Sequence, residues 1–79
     1  MFDKKEIEKA LLGAFEDGQV TVEGDDGVHF HATVISPSFK GKTRIQQHQM
    51  VYRVLGEKVG NEIHALGLTT KVPETTNDN

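Results

Sequence analysis

The sequence predicts an α+β domain: a three-stranded mixed sheet with helices on one face. Three observations carry that expectation. Apolar residues recur at helical spacing in residues 3–16 and again after residue 43. A two-residue alternation runs through 19–23 and 28–36 on either side of "GDDG". A third β-forming run, "EIHALGLTT", follows at 62–70. Segregated helices and strands of this kind form two layers around one core.

The elements follow in order. "DKKEIEKALLGAFE", residues 3–16, places Ile7, Leu11, Ala14 and Phe15 on one helical stripe. Asp3 is placed to cap the first turn, with Glu6 three residues on as in a capping box, and Gly18 suits the stop. "QVTVEG" puts Val20 and Val22 on one side of a half-buried strand. "GDDG" at 24–27 makes a tight turn. "VHFHATVIS" then sets Phe30, Ala32 and Val34 on one face and His29, His31, Thr33 and Ile35 on the other. Pro37, which has no amide hydrogen for a ladder, ends this strand, and "SPSFKGK" is a loop.

Thr43 and Gln46 form a second capping-box pattern, so a helix should run from about 43 toward 58. Its apolar members are Ile45, Val51, Val54, Leu55 and Val59. The early part, "RIQQHQ", is thin in apolar residues, which suggests two helices meeting near Gln47–Gln49. "GN" at 60–61 stops the helix, and Gly67 interrupts the third strand. Residues 1–73 read as one domain and the polar 74–79 as a disordered tail.

Bulk properties narrow the function. The 79 residues are 35% apolar and 27% charged, with no cysteine. A domain this small buries only about 60% of its unfolded surface, which leaves little room for a deep active-site cavity. Without cysteine there is neither a disulfide nor a thiolate to bind metal or attack substrate. No apolar run nears the roughly 18 residues of a membrane span, and "MFDKKEIEKALL" lacks a signal peptide's apolar block. The expected location is cytoplasmic. A net charge of −3 does not draw the chain as a whole to nucleic acid, so any basic role is local. An enzyme needs an activated nucleophile or an acid–base pair. Ser36, Ser38 and the histidines offer groups, but no elbow, phosphate loop or metalloprotease spacing is present, and no catalytic residue is expected.

Four stretches together resemble the BolA family: "HF" at 29–30, "VISPSFKGKTRIQQHQMVY" at 34–52, "IHALGLTT" at 63–70, and the leading helix and hairpin in the same order. Phe39, Gly41, His48 and Val51 carry the most specific spacing. Many members continue into another helix after the third strand, whereas this chain stops at Asn79. The resemblance implies a fold similar to a class II KH domain, in the order α-β-β-α-(α)-β, without the GxxG loop; "EKVGNE" is not one. It implies partnership with a monothiol glutaredoxin and its glutathione through a shared [2Fe–2S] cluster. Transcriptional regulation through a helix-turn-helix-like region, here residues 43–59, is also attributed to the family. DNA and a second copy of the chain therefore stand as further partners, and a membrane does not.

By this resemblance His64 matches the cluster-ligand histidine. His29 lies where the family offers a second ligand, and His31, on the same strand face, is its substitute. His48 is expected to be structural or at a partner surface. Two histidines hold iron poorly by themselves; a glutaredoxin thiolate and a glutathione thiolate would hold one iron and two imidazoles the other, similar to the Rieske ligand split. Protons compete for neutral imidazole as the pH falls toward about 6. Zinc on two histidines with Asp25 or Asp26 is the competing metal site.

Lys40, Lys42, Arg44 and Arg53 are the main basic cluster. One reading is a solvated turn and helix face. A second is docking against an acidic partner, where charge complementarity speeds encounter. A third is DNA, with the cations on phosphates and Gln46, Gln47 or Gln49 on base edges. The favoured reading shapes a loop, with Phe39 buried, Gly41 turning and Thr43 capping, while the exposed cations serve a partner.

Overall fold

The computed structural model describes residues 3–24, 29–56 and 65–73. Helix α1 (Lys4–Ala14) leads into strands β1 (Gln19–Glu23) and β2 (His29–Ile35). A 3-10 turn (Pro37–Phe39), helix α2 (Arg44–Leu55) and strand β3 (Ala65–Lys71) follow. The sheet order is β1-β2-β3, with β1 antiparallel and β3 parallel to the central β2. The sheet is therefore mixed, as expected. Strands β2 and β3 run the same way, so a crossover must join them, and α2 lies within that connection. Helix α1 packs on β1 and β2 and against α2, which itself packs on β3.

The core lies between sheet and helices: Ile7, Leu11 and Phe15 from the first segment, Phe30, Ala32 and Val34 from β2, Phe39 from the turn, and Val51 and Leu55 from α2. The alternation expected in β2 holds, because Phe30, Ala32 and Val34 are buried while His29 and His31 are exposed. Asp3 caps α1 by accepting from the Lys5 amide at 3.0 Å. The helix ends at Ala14, earlier than the expected residue 16. The Phe15 amide still donates to the Leu11 carbonyl, but the Phe15 backbone leaves helical dihedrals as its ring enters the core. There the ring tilts against Phe39, with centroids 5.3 Å apart. Gly18 serves a close approach: a Cβ there would run into the Ile35 carbonyl oxygen.

Helix α2 is continuous through Gln47–Gln49, so the expected break is absent. Its apolar-poor first half is attached by hydrogen bonds instead. Thr43 Oγ1 accepts from the Gln46 amide at 3.1 Å, and Gln46 Oε1 accepts from the Thr43 amide at 2.9 Å. Gln47 Nε2 donates to the carbonyls of Lys42 (2.9 Å) and Phe39 (3.3 Å). Gln47 Oε1 accepts from the Thr70 hydroxyl at 2.6 Å. That one side chain ties helix, loop and β3 together. Gly41 turns the loop at φ +80°, a region that favours glycine. Ile45, expected among the apolar members, is 70% exposed, because Val51 and Leu55 fix the buried stripe on another side of the helix.

Of the turn expected at 24–27 only Gly24 is described; its remainder, the helix stop at 60–61, Val59, the first part of the third strand (62–64) and the tail at 74–79 lie outside the described residues. No described helix is long and apolar enough to cross a membrane.

Candidate functional site

The parallel register of β2 and β3 builds the candidate site. It pairs His29 with Ala65, His31 with Gly67, Thr33 with Thr69 and Ile35 with Lys71. His29 opens β2 and is exposed on the sheet face away from the helices. His64, the other expected ligand, lies outside the described residues, as do Asp25 and Asp26 of the competing zinc reading. The register opposite His29 belongs to Ala65, which follows His64 in the chain. Among the described residues no three histidine or carboxylate side chains gather to hold a metal ion.

His31 shares the open face with His29 but is differently held. Its Nε2 shares a hydrogen bond of 2.9 Å with the Thr69 hydroxyl. Its ring lies over Gly67, where an added Cβ would sit only 2.7 Å from Nδ1. One nitrogen is thus engaged and the other faces backbone. His29 lies at the start of the strand pair, in register with Ala65. The glycine that interrupts the third strand has a physical reason: it makes room for the His31 imidazole.

The four cations expected to form one cluster divide. Lys40 and Lys42 flank Gly41 in the loop, and Arg44 opens α2. Arg53 is nine residues further along a continuous helix, about two and a half turns, and so on its opposite side. It lines a cleft of about 330 Å³ with Ala14, Phe15, Met50 and Val54, between α1 and α2. Arg44 lines a separate cleft beside β3. A helix-turn-helix is not formed within residues 44–55, which are a single helix.

Two of the three glutamines considered for base edges are spent on the fold, Gln46 in the capping box and Gln47 in its three bonds. Ser36 is 1% exposed, and its hydroxyl accepts from the Ser38 amide. His48 Nε2 is buried without a hydrogen-bond partner among the described residues. Sequence reasoning weighed Gln47 for base edges but missed its role in joining separated segments, and it missed Lys71, whose neighbours depend on the β2–β3 register.

Comparison with known proteins gives these features a family. The family model described as BolA-like protein matches residues 13–75. The DNA-binding transcriptional regulator BolA of Haemophilus influenzae is 39% identical over 77 residues, covering 86% of this chain and 75% of that protein. A chloroplastic/mitochondrial SufE-like protein 1 of Arabidopsis thaliana is 35% identical over 51 residues, covering 63% of this chain and 14% of that protein. The chain spans less than half the length of several of the curated relatives it matches. Among solved structures, a bolA protein homologue from Coxiella burnetii superposes with a TM-score of 0.79 at 36% identity, covering 92% of this chain and 94% of that one. With the family model spanning most of its length and the same two-layer architecture in its structural neighbours, the chain belongs to the BolA-like protein family.

Proposed function

We propose that the protein is a non-enzymatic iron–sulfur adaptor that pairs with a monothiol glutaredoxin and co-ligates a [2Fe–2S] cluster through His64 and His29. The observation that carries the reading is the β2–β3 register. It sets an exposed imidazole at the start of β2 opposite Ala65, the neighbour of the second histidine in sequence. Imidazole is a competent iron ligand, and this cysteine-free chain leaves the thiolates to its partner. The cluster is cargo held between two proteins. The work of this chain is to present two neutral imidazoles and exclude competing ligands. A reducing compartment such as the cytoplasm, where thiols stay reduced, suits the chemistry.

The test is a titration of cluster-loaded glutaredoxin with the purified protein, read by visible absorption and circular dichroism. The expected result is a saturable spectral change, abolished by His64→Ala and weakened by His29→Ala. His31→Ala should leave it in place, since the His31 ring is held by Thr69. An unchanged spectrum with excess protein would remove the proposal.

A second reading, a DNA-binding regulator, is favoured by the name of the Haemophilus influenzae relative and by three exposed cations, Lys40, Lys42 and Arg44, at one end of α2. Binding that falls steeply with salt and is lost in the Lys42→Ala, Arg44→Ala double variant would support it. Absence of sequence-preferring binding at low salt would count against it.

A further inference from the structure

Strand β3 ends the sheet, and its outer edge has no strand beside it among the described residues. The Ser36 amide donates to the Lys71 carbonyl at 3.0 Å, so Lys71 turns its backbone polar groups toward β2. With a two-residue period Thr69 and Gly67 do the same, and Leu66, Leu68 and Thr70 turn theirs outward. The Tyr52 hydroxyl, which reaches the Leu66 carbonyl from α2 at 3.3 Å, fits this direction. No described residue takes the outward amides and carbonyls of Leu68 and Thr70. Natural sheet edges are blunted by proline, a bulge or charges along the strand. Strand β3 has no proline, carries no charge before its last residue, Lys71, and keeps its register with β2 from Ala65 to Lys71 without a bulge.

Helix α2 walls this edge. A cleft of about 410 Å³ is lined by Arg44 and His48 and by the four consecutive residues Leu68, Thr69, Thr70 and Lys71. Consecutive strand side chains point to opposite faces, so what faces the cleft along 68–71 is the backbone edge itself. Arg44, His48 and Tyr52 recur every four residues on one side of α2, and Gln47 holds the helix to Thr70. Arg44 to Tyr52 is about 12 Å of helix and Leu66 to Thr70 about 13 Å of strand, so wall and edge run side by side. Ile45, seven residues before Tyr52 and on the same side, is 70% exposed, and Tyr52 is exposed too. Two large apolar side chains therefore stand beside backbone groups that lack partners. The charge there is of one sign. Arg44 on the helix side and Lys71 on the open face are exposed, and no carboxylate lines the cleft, in a chain of net charge −3.

We propose that the outer edge of β3 takes an extended acidic peptide of a partner protein as a fourth strand. Strand addition of this kind draws affinity from backbone hydrogen bonds and specificity from alternate side chains. The amides and carbonyls of Leu68 and Thr70 pair with the peptide backbone. The peptide's side chains alternate between the two faces, so neighbouring residues meet Arg44 on one face and Lys71 on the other. Two adjacent carboxylates fit that arrangement, and a single compact anion does not. An apolar residue an even number of positions from the carboxylate at Arg44 lies on the helix side and covers Ile45 and Tyr52. The surface rests on neither functional reading above, since it requires neither His29 nor Lys42.

The test follows the full chain by two-dimensional NMR and amide hydrogen exchange. The probe is a short blocked peptide that alternates valine and threonine and carries a Glu-Asp pair near each end, so that either strand direction presents the carboxylates. Two controls accompany it: the same peptide with Gln-Asn pairs, and the acidic peptide N-methylated throughout its central residues. In the free protein the amides of Leu68 and Thr70 should exchange about tenfold faster than those of Thr69 and Lys71. The acidic peptide should shift residues 66–71 saturably and slow exchange at Leu68 and Thr70 about tenfold. Arg44→Gln and Lys71→Gln should each weaken the acidic peptide about threefold and leave the Gln-Asn peptide unchanged, and Ile45→Ala should weaken both. The three substituted residues are exposed, and unchanged shifts elsewhere certify the fold of each variant. No saturable shift at 66–71, equal binding by the N-methylated or the Gln-Asn peptide, or indifference to the two charge variants would overturn the proposal. So would protection of Leu68 and Thr70 that rises with protein concentration alone, which gives the edge to a second copy, or saturation by a single-stranded oligonucleotide and not by the peptide.

Discussion

The loop and first turn of α2, residues 36–47, and the strand pair that begins at His29 and Ala65 are both rich in polar side chains, yet they use them in opposite ways. In the first region Ser36, Thr43, Gln46 and Gln47 turn their polar atoms inward, onto amides and carbonyls. In the second, His29 and His31 stand on the open face of the sheet, with Phe30 alone between them pointing to the core. The difference shows that a polar cluster is not a functional surface by virtue of its composition. What stands exposed for binding is His29 on the open face of the sheet and the cations of the 40–44 loop.

The sharpest way to break the comparison is to attack the buried anchor of the first region. Phe39 is fully buried beneath the loop and packs against Phe15. Phe39→Ala should cost about 3–5 kcal/mol, a large part of the roughly 5–15 kcal/mol that holds a small domain folded. Ile45→Ala, six residues later and 70% exposed, should change stability by less than about 0.5 kcal/mol. Urea unfolding of the two variants measures the contrast, and equal midpoints would mean that the loop is not built on Phe39. Next in size is the Gln47 clamp. Gln47→Ala leaves the Lys42 carbonyl and the Thr70 hydroxyl without the Gln47 amide, while the Phe39 carbonyl keeps the Lys42 amide. It should cost about 1–3 kcal/mol by the same measurement, with faster amide exchange in the 39–42 loop. A stability unchanged within error would show that water replaces the amide at no cost.

Much of the first region can be read from sequence because its signals are local. The Thr43–Gln46 pair, the glycine at 41 and the phenylalanine at 39 each act within a few residues of themselves, and each does in the fold what its chemistry suggests. The alternation of β2 is equally local. The misreadings have a common origin in non-local contacts. A helix thin in apolar residues suggested a break at 47–49, because the bond from Thr70 that secures Gln47 comes from 23 residues away. Allowing that break also hid a consequence of plain periodicity: on an unbroken helix Arg44 and Arg53 face opposite ways. At the second region the residue types are visible but their juxtaposition is not. Nothing in the chain between residues 29 and 65 announces a parallel pairing in which His29 meets Ala65.

The smallest expected effect tests the second region from within. Gly67 is the one position on β3 where the His31 imidazole rests on backbone, so the two histidines of β2 differ by what lies opposite them. Gly67→Ala would place a methyl 2.7 Å from Nδ1, closer than nonbonded atoms tolerate. The ring is exposed and pivots about its own χ angles, so it should swing away rather than unfold the sheet. The cost should be within about 1 kcal/mol, since the displaced hydrogen bond to Thr69 is replaced by water. The informative readout is the imidazole: its NMR signals should lose their contact with Thr69 while those of His29 keep theirs. If displacement makes His31 an accessible ligand, the His29→Ala, Gly67→Ala pair should recover part of the cluster-dependent spectral change that His29→Ala loses. No recovery, with His31 shown to be displaced, would mean that position along the strand, and not the bond to Thr69, keeps His31 from serving as the ligand.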